Sequence, residues 1–143
     1  MTATEGPAPG FVESTMRGPF TTHNGPVYHK PGDAFVRGFR ALQRHCNSFG
    51  IVHGGWLMTF TDGVLGSAVW EATKTRSLTL RMNSDFVGMV RAGEWVEGRG
   101  LVTRATRSLV FARAELTTGG KSPAAAPSLP VNEKRTSCIV NNQ

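Results

Sequence analysis

The sequence has few cysteines and no long apolar segment. Cys46 and Cys138 are the only cysteines among 143 residues, one in a polar turn and one in a polar tail, which argues against a disulfide framework or a zinc cluster. No run approaches the roughly 18 apolar residues of a membrane span. Residues 1–10 lack the basic start and the apolar stretch of a signal peptide. We therefore expect a cytoplasmic protein with no membrane segment and no metal site.

The chain carries an excess of positive charge. Its formal net charge is +6, which favours an anionic partner. Surfaces that bind nucleic acid usually combine a basic groove with interleaved aromatic side chains. Arginines of the second half of the chain are instead spread singly, as at Arg76, Arg81, Arg91, Arg99, Arg104, Arg107 and Arg113. The expected partner is therefore a phosphorylated small molecule, and not nucleic acid.

Hydrophobic periodicity predicts one helix among several strands. Apolar residues recur at intervals of three and four from Leu57 to Ala68, which predicts a helix over 55–73 with one buried face. Ser77–Phe86 alternates and is predicted as a strand with one face formed by Leu78, Leu80, Met82, Ser84 and Phe86. Further strands are predicted at 33–44, 96–104 and 109–117, the last two as a hairpin.

This order of elements predicts an α+β fold, in which a curved antiparallel sheet wraps around a central helix. The domain is predicted to span 33–118, after an extended leader at 1–32 that is rich in proline and glycine. Gly63 and Gly66 inside the helix suggest that a sheet or a partner helix approaches closely there. Residues 119–143 show no periodic pattern and are expected to form a polar, disordered tail or loose arm, with brief edge pairing of 135–140 as the alternative.

The segment from Arg44 to Asp62 carries the candidate site. Gly54 and Gly55 begin the predicted helix, where unpaired backbone N–H groups can hold a polarised carbonyl oxygen. Asp62 lies eight residues after Gly54, so roughly 12 Å separates them along one helix axis. They cannot contact the same small group within one chain. If both serve one site, Asp62 must come from a second copy, whose helix runs antiparallel across a two-fold axis.

Together with Asn47, Gly50 and His53, these residues resemble the signature of the PaaI-like thioesterases of the hotdog-fold superfamily. The flanking sequences Arg-His-Cys-Asn and Trp-Leu-Met-Thr-Phe contribute to a resemblance that runs from about residue 32 to 118. It implies a hotdog fold and hydrolysis of acyl-CoA thioesters without a metal or cofactor. It also implies a homodimer, often paired into a tetramer.

The resemblance implies a role for each matched residue. Gly54 would donate the oxyanion N–H, Asp62 would act as base or nucleophile, and Asn47 would orient water or substrate. His53 is expected to support the loop, because a histidine just before a helix more often caps or braces it. Thr79 is a weaker candidate, at a strand position where some relatives place a hydroxyl near the nucleophilic water.

Substrate contacts are predicted from charge and aromatic content. The candidate substrate-binding residues are Gly55, Phe60, Arg104, Arg107 and Ser108. The two arginines could bind the nucleotide end of CoA, or be solvated hairpin charges. Trp56, Phe60 and Phe86 could line an apolar acyl channel suited to medium-chain or aromatic acyl groups, or be ordinary core residues.

Three alternatives remain at this point. A hotdog hydratase or dehydratase would share the fold, but its histidine-rich loop is missing. A non-catalytic acyl-CoA-binding protein would be expected to lack the acid. Cys46 could be a nucleophile, but no pattern typical of a cysteine hydrolase surrounds it, which favours a structural thiol.

Overall fold

The computed structural model describes residues 6–118 and the backbone of residues 134–142. Two helices lie in these ranges, α1 (Pro19–Asn24) and α2 (Gly54–Thr73), with a short 3-10 turn at Gln43–His45 before α2. The strands there are β1 (Val12–Glu13), β2 (Tyr28–Lys30), β3 (Asp33–Arg40), β4 (Ser77–Phe86), β5 (Trp95–Ala105), β6 (Leu109–Thr118) and β7 (Lys134–Asn142).

The strands form one antiparallel sheet in the order β1-β2-β3-β5-β6-β7-β4. The long helix α2 contacts β3, β4, β5 and β6 and is the central helix of the fold. This confirms the predicted α+β architecture and the β5–β6 hairpin. No helix in the described ranges is long and apolar enough to cross a membrane.

Helix α2 begins and ends through specific caps. His53 is the N-cap residue, and its Nδ1 accepts a hydrogen bond from the Gly55 N–H at 2.8 Å. Lys74 ends the helix in the left-handed conformation, and its N–H donates to the Trp70 carbonyl. The predicted apolar face is buried against the sheet. Its members are all buried: Leu57, Phe60, Thr61, Val64 and Ala68.

Glycines of β5 allow α2 to lie close to the sheet. A Cβ at Gly98 would stand 2.7 Å from the Val64 side chain, and one at Gly100 would stand 2.7 Å from the Ala68 Cβ. Of the two alternatives for Gly63 and Gly66, the close sheet is wrong, and the close partner helix stays a prediction. A Cβ at Gly66 would meet nothing within 4 Å, and one at Gly63 would meet only the Arg17 side chain, at 3.5 Å. The glycines that allow the close contact are therefore those of β5, and not those of α2.

Strand β4 contains a bulge that the alternating sequence does not predict. Thr79 pairs with Val140 and Arg81 pairs with Ile139, so Leu80 is an extra residue. Beyond the bulge Met82 packs against the core. Before the bulge, the predicted face that joins Leu78 and Leu80 to Met82 is wrong. The side chain that faces α2 there is Thr79. Leu78 and Leu80 are each 59% exposed.

The two ends of the chain contribute to the sheet more than expected. The leader is not wholly extended, since it contains α1 and the two strands that extend the sheet beyond β3. The expectation of a disordered tail, or of edge pairing only, is wrong for residues 134–142. Strand β7 lies between β6 and β4 and pairs with both. Residues 119–133 and 143 of the predicted tail lie outside the described ranges.

Candidate active site

A cleft of about 700 Å³ opens beside the start of α2. One wall comes from the turn before the helix and from the helix itself, and the other from the segment after β4. The lining residues are Asn47, Ile51, Val52, Gly54, Leu57, Phe86, Val87, Gly88, Met89, Val90, Arg91 and Glu94. The sequence reading missed the wall at 87–90, although Val87, Met89 and Val90 form an apolar cluster directly after the strand.

The cleft exposes one backbone donor at the helix start. Gly54 is the first residue of α2, and its N–H makes no hydrogen bond among the described residues. The neighbouring Gly55 N–H is bound to His53 Nδ1, which confirms His53 as a cap. A Cβ at Gly55 would lie 2.9 Å from that nitrogen, so the cap requires a glycine there. Of the two predicted backbone donors, Gly54 is the one available to a ligand.

Asn47 belongs to both the turn and the cleft. Its Oδ1 accepts hydrogen bonds from the N–H groups of Phe49, at 2.9 Å, and Ile51, at 3.4 Å. The backbone of Asn47 also pairs with Ile51 and Gly50. The amide oxygen is therefore committed to the turn. The amide NH2, which makes no hydrogen bond among the described residues, is the part of the side chain that can donate to a ligand.

The turn is anchored by the buried side chain of His45 and by the partly buried side chain of Cys46. His45 Nδ1 accepts from the Leu42 N–H, and its Nε2 lies 2.6 Å from the Asn24 carbonyl oxygen, to which it donates as the neutral tautomer. Burial lowers the pKa of His45 because the imidazolium would lose its hydration. Cys46 packs against the core, and its Sγ donates to the Leu42 carbonyl, which supports the structural interpretation of this thiol.

Asp62 lies outside this cleft, on the exposed side of α2. The Thr79 hydroxyl donates to Asp62 Oδ1 at 2.6 Å. The structure thus joins two of the predicted site residues, and the bulge at Leu80 turns the Thr79 side chain toward the helix. Gly54 lies instead beside Phe86, whose ring would be 3.5 Å from a Cβ added there. Asp62 and Thr79 therefore lie at one end of β4, and Gly54 and Phe86 lie at the other.

The remaining residues predicted to contact the substrate lie partly in the core and partly on the surface. Trp56 and Phe60 are buried and pack edge-on against Phe39, so they do not line the cleft. Of the three aromatic residues predicted to line a channel, only Phe86 does so.

Arg104, Arg107 and Ser108 are exposed at the β5–β6 turn. Leu109 pairs with Asn141, which pairs with Leu78, so this turn lies at the Asp62 end of the sheet. The described residues contain no group of three or more histidine, cysteine, aspartate or glutamate side chains arranged to hold a metal.

Comparison with known proteins places this chain in a family. Residues 49–125, more than half of the chain, match the model of the thioesterase superfamily. A candidate esterase of Pseudomonas aeruginosa is 33% identical over 93 residues, which cover 64% of this chain and 69% of that protein.

Solved structures share the fold. A Thermus thermophilus protein is 25% identical, with a TM-score of 0.71 over 90% of this chain and 100% of its own. A mutant of the phenylacetic acid degradation protein PaaI from the same organism is 23% identical, with a TM-score of 0.70 over 88% and 100%. A Streptococcus mutans protein bound to acetyl CoA is 16% identical, with a TM-score of 0.65 over 76% and 79%. The chain belongs to the thioesterase superfamily, and its PaaI-like fold is the hotdog fold.

Proposed function

We propose that the protein hydrolyses acyl-CoA thioesters to CoA and a carboxylic acid. The observation that carries this proposal is the exposed Asp62 carboxylate, oriented by Thr79 within a family of thioesterases. A carboxylate can take a proton from the attacking water or attack the thioester carbonyl itself. The Gly54 N–H is a suitable donor for the oxyanion that develops on the carbonyl oxygen.

These two groups form one site only if the protein is a dimer with shared sites. Strand β4 is at an edge of the sheet, and Leu78 and Leu80 are exposed along it. An exposed edge strand can pair with a second chain. Antiparallel pairing of β4 with its copy across a two-fold axis would bring the Gly54 end of one subunit to the Asp62 end of the other.

The same arrangement gives the β5–β6 turn a role. Arg104, Arg107 and Ser108 lie at the Asp62 end, so the partner subunit would bring them to the cleft together with its Asp62. Guanidinium groups there could bind the phosphates of CoA. A pairing of two such dimers into a tetramer is a further level of assembly, which mass measurement in solution would test.

The cleft supports a preference for apolar acyl groups. Seven of its lining residues are apolar: Ile51, Val52, Leu57, Phe86, Val87, Met89 and Val90. Burial of an acyl chain against such residues is favourable in proportion to the apolar area removed from water. We therefore expect medium-chain and aromatic acyl-CoAs to be better substrates than acetyl-CoA.

Steady-state thiol release from a panel of acyl-CoAs tests the proposal. Asp62→Asn retains the shape of the side chain and removes the basic oxygen, so turnover should fall by roughly two orders of magnitude or more, with substrate binding within a few fold. Glu13→Gln, an exposed acid on β1, is the control and should retain full turnover. Near-normal turnover in Asp62→Asn would refute the role of Asp62. Binding of acyl-CoA without any turnover by the unmodified protein would instead favour a non-catalytic binding protein.

Labelled water distinguishes the two roles of Asp62. In a single turnover in heavy-oxygen water, an Asp62 nucleophile would form an anhydride, and its hydrolysis could leave heavy oxygen in the aspartate. An Asp62 general base would leave all the label in the carboxylic acid product. Heavy oxygen in the peptide that contains Asp62, found by mass analysis, would establish the nucleophilic role.

A further inference from the structure

A second cleft, of about 500 Å³, lies on another side of α2. It is bordered by the leader, by β3 and by the end of the helix. Charged and polar side chains dominate its lining, including Ser14, Arg17, His29, Lys30, Arg37 and Glu71. Ser67, which accepts hydrogen bonds from Arg17 and Arg37 of this lining, lies five residues after Asp62 and so about 140° further around the helix. This cleft is therefore separate from the Asp62 side of α2.

Two half-buried guanidinium groups meet at Ser67. Arg17 Nη1 donates to Ser67 Oγ at 3.3 Å, and Arg37 Nε donates to the same oxygen at 3.2 Å. Burial lowers the pKa of both arginines, and the charge of Arg17 lowers that of Arg37 further. Like charges in partial burial repel each other, so this arrangement is costly unless a negative charge is nearby.

The described residues supply little compensating charge. Within them, neither arginine forms an ion pair. Glu71 is the acid that acts on Arg37, but its carboxylate is bound to the Lys74 ammonium at 2.7 Å. Each guanidinium carries five N–H donors. In the described ranges Arg17 makes one hydrogen bond and Arg37 makes two, the second to the Val36 carbonyl, so most donors of the pair remain available.

Trp56 shares a cavity with this pair of arginines and carries a buried donor of its own. The Trp56 indole N–H is buried and has no hydrogen-bond partner among the described residues. Trp56 also lines a small cavity of about 20 Å³, and Arg17, Arg37 and Gly63 line the same cavity. A buried N–H without an acceptor costs free energy. Trp56 and the two arginines thus line one small cavity, and each carries donors that the described protein leaves without an acceptor.

We propose that Arg17, Arg37 and the neighbouring cleft form a binding site for a phosphate group. A phosphate oxyanion would supply the missing negative charge and several acceptor oxygens, and guanidinium groups bind phosphate through charge-assisted hydrogen bonds. Lys30 adds positive charge on the rim. The outer cleft is larger than an inorganic phosphate ion, which favours a phosphate ester with an organic part. This site does not depend on the proposed thioesterase activity.

Calorimetric titration of the full chain tests the site. The probes are inorganic phosphate, adenosine 3′,5′-bisphosphate as a phosphate ester, and acetate as a carboxylate. We expect saturable binding of one phosphate group per chain, tighter for the ester. Arg17→Gln and Arg37→Gln should each weaken binding tenfold or more, because each removes a charged donor. Arg113→Gln, an exposed arginine on β6, should bind within twofold of the unmodified protein.

Several results would overturn the proposal. These are the absence of saturable phosphate binding, equal weakening by all three substitutions, or acetate binding as tight as that of phosphate. Binding of the ester but not of inorganic phosphate would place recognition in the organic part and also contradict it.

A measurement on the unmodified protein does not depend on the folding of the variants. The chain has three tryptophans, and Trp56→Phe identifies the Trp56 indole N–H resonance by its loss. Phosphate should shift that resonance and leave the other two indole signals unchanged. An unmoved Trp56 resonance at saturating phosphate would show that phosphate binds elsewhere.

Discussion

Thr79 is the residue that holds Asp62 in place. Its hydroxyl donates to Asp62 Oδ1 at 2.6 Å, at an exposed position where the carboxylate would otherwise rotate freely. We expect Thr79→Val to lower kcat about five- to tenfold, the equivalent of one hydrogen bond, with KM nearly unchanged. Stopped-flow or steady-state thiol release measures both parameters.

Thr79→Ser is the matched control, because serine restores the hydroxyl without the methyl group. It should recover most of the lost kcat. If valine and serine lower kcat equally, the effect comes from packing of the methyl group or from β4 itself, and the hydrogen bond has no positioning role.

The separate residues of the candidate site differ in how far sequence could predict them. Gly54 and His53 could be placed because a helix start has a local signature in glycine spacing and capping. The contact of Thr79 with Asp62 depends on the bulge at Leu80, and the alternating sequence around it gives no sign of an extra residue. Phe60 was assigned to substrate binding but lies in the core, because periodicity identifies a buried face and not what the face contacts.

His45 gives the fold a dependence on pH. It is 4% exposed, and burial lowers its pKa, so the unfolded state takes up a proton at a higher pH than the folded state. The stability contributed by neutral His45 is present above the unfolded pKa of about 6.5 and is lost as the pH falls through it toward the folded pKa. Urea unfolding midpoints between pH 8 and pH 5 should therefore decline in the acidic half of the range.

His45→Gln should flatten this decline, because glutamine can donate to the Asn24 carbonyl and does not titrate. His23→Gln changes an exposed histidine of α1 and should leave the slope as it is. An unchanged slope in His45→Gln would assign the pH dependence to other groups.

At the scale of elements, the contact between α2 and β5 leaves no room for a methyl group at Gly100. A methyl group at Gly100 would stand 2.7 Å from the Ala68 Cβ and 3.0 Å from the Val64 carbonyl oxygen, and a helix backbone cannot move aside locally. Gly100→Ala should therefore lower the free energy of unfolding by about 1–3 kcal/mol through overpacking. Denaturant unfolding measures it. Gly6→Ala, where a Cβ meets nothing within 4 Å, should change it by less than about 0.5 kcal/mol. Equal effects would contradict the packing argument.

The sequence predicts closely those elements whose apolar side chains alternate or recur at regular intervals. It does not predict β7. The predicted strand at 77–86 matches β4, and the predicted helix at 55–73 matches α2 to within one residue. Residues 134–142 contain few apolar side chains in no regular order. Strand β7 forms through backbone hydrogen bonds with β6 on one side and β4 on the other, and side-chain patterns carry little information about such pairing.

At the scale of the whole molecule, the candidate groups lie at two ends of one subunit. The cleft with Asn47 and Gly54 is near the Phe86 end of β4, while Asp62, Thr79 and the β5–β6 turn are near its other end. Within one subunit the Gly54 N–H and the Asp62 carboxylate therefore do not belong to one site. Strand β4 is at the edge of the sheet. A two-fold axis beside β4 can therefore bring the Asp62 end of a second subunit to the Gly54 end of the first.

Subunit mixing tests the shared site directly. One chain carries Asp62→Asn and the other carries Gly54→Pro, which removes the N–H donor. Proline is tolerated at the first position of a helix, and the extended conformation of His53 before it is compatible, so this chain should fold.

Each parent protein should be inactive. In a heterodimer one site combines both lesions and the other is intact, so purified heterodimers should show about half the activity of the unmodified dimer, by the two-fold site count. If heterodimers of two folded chains, verified by mass, stay as inactive as the parents, Asp62 and Gly54 do not meet across the interface, and Asp62 must act within its own subunit.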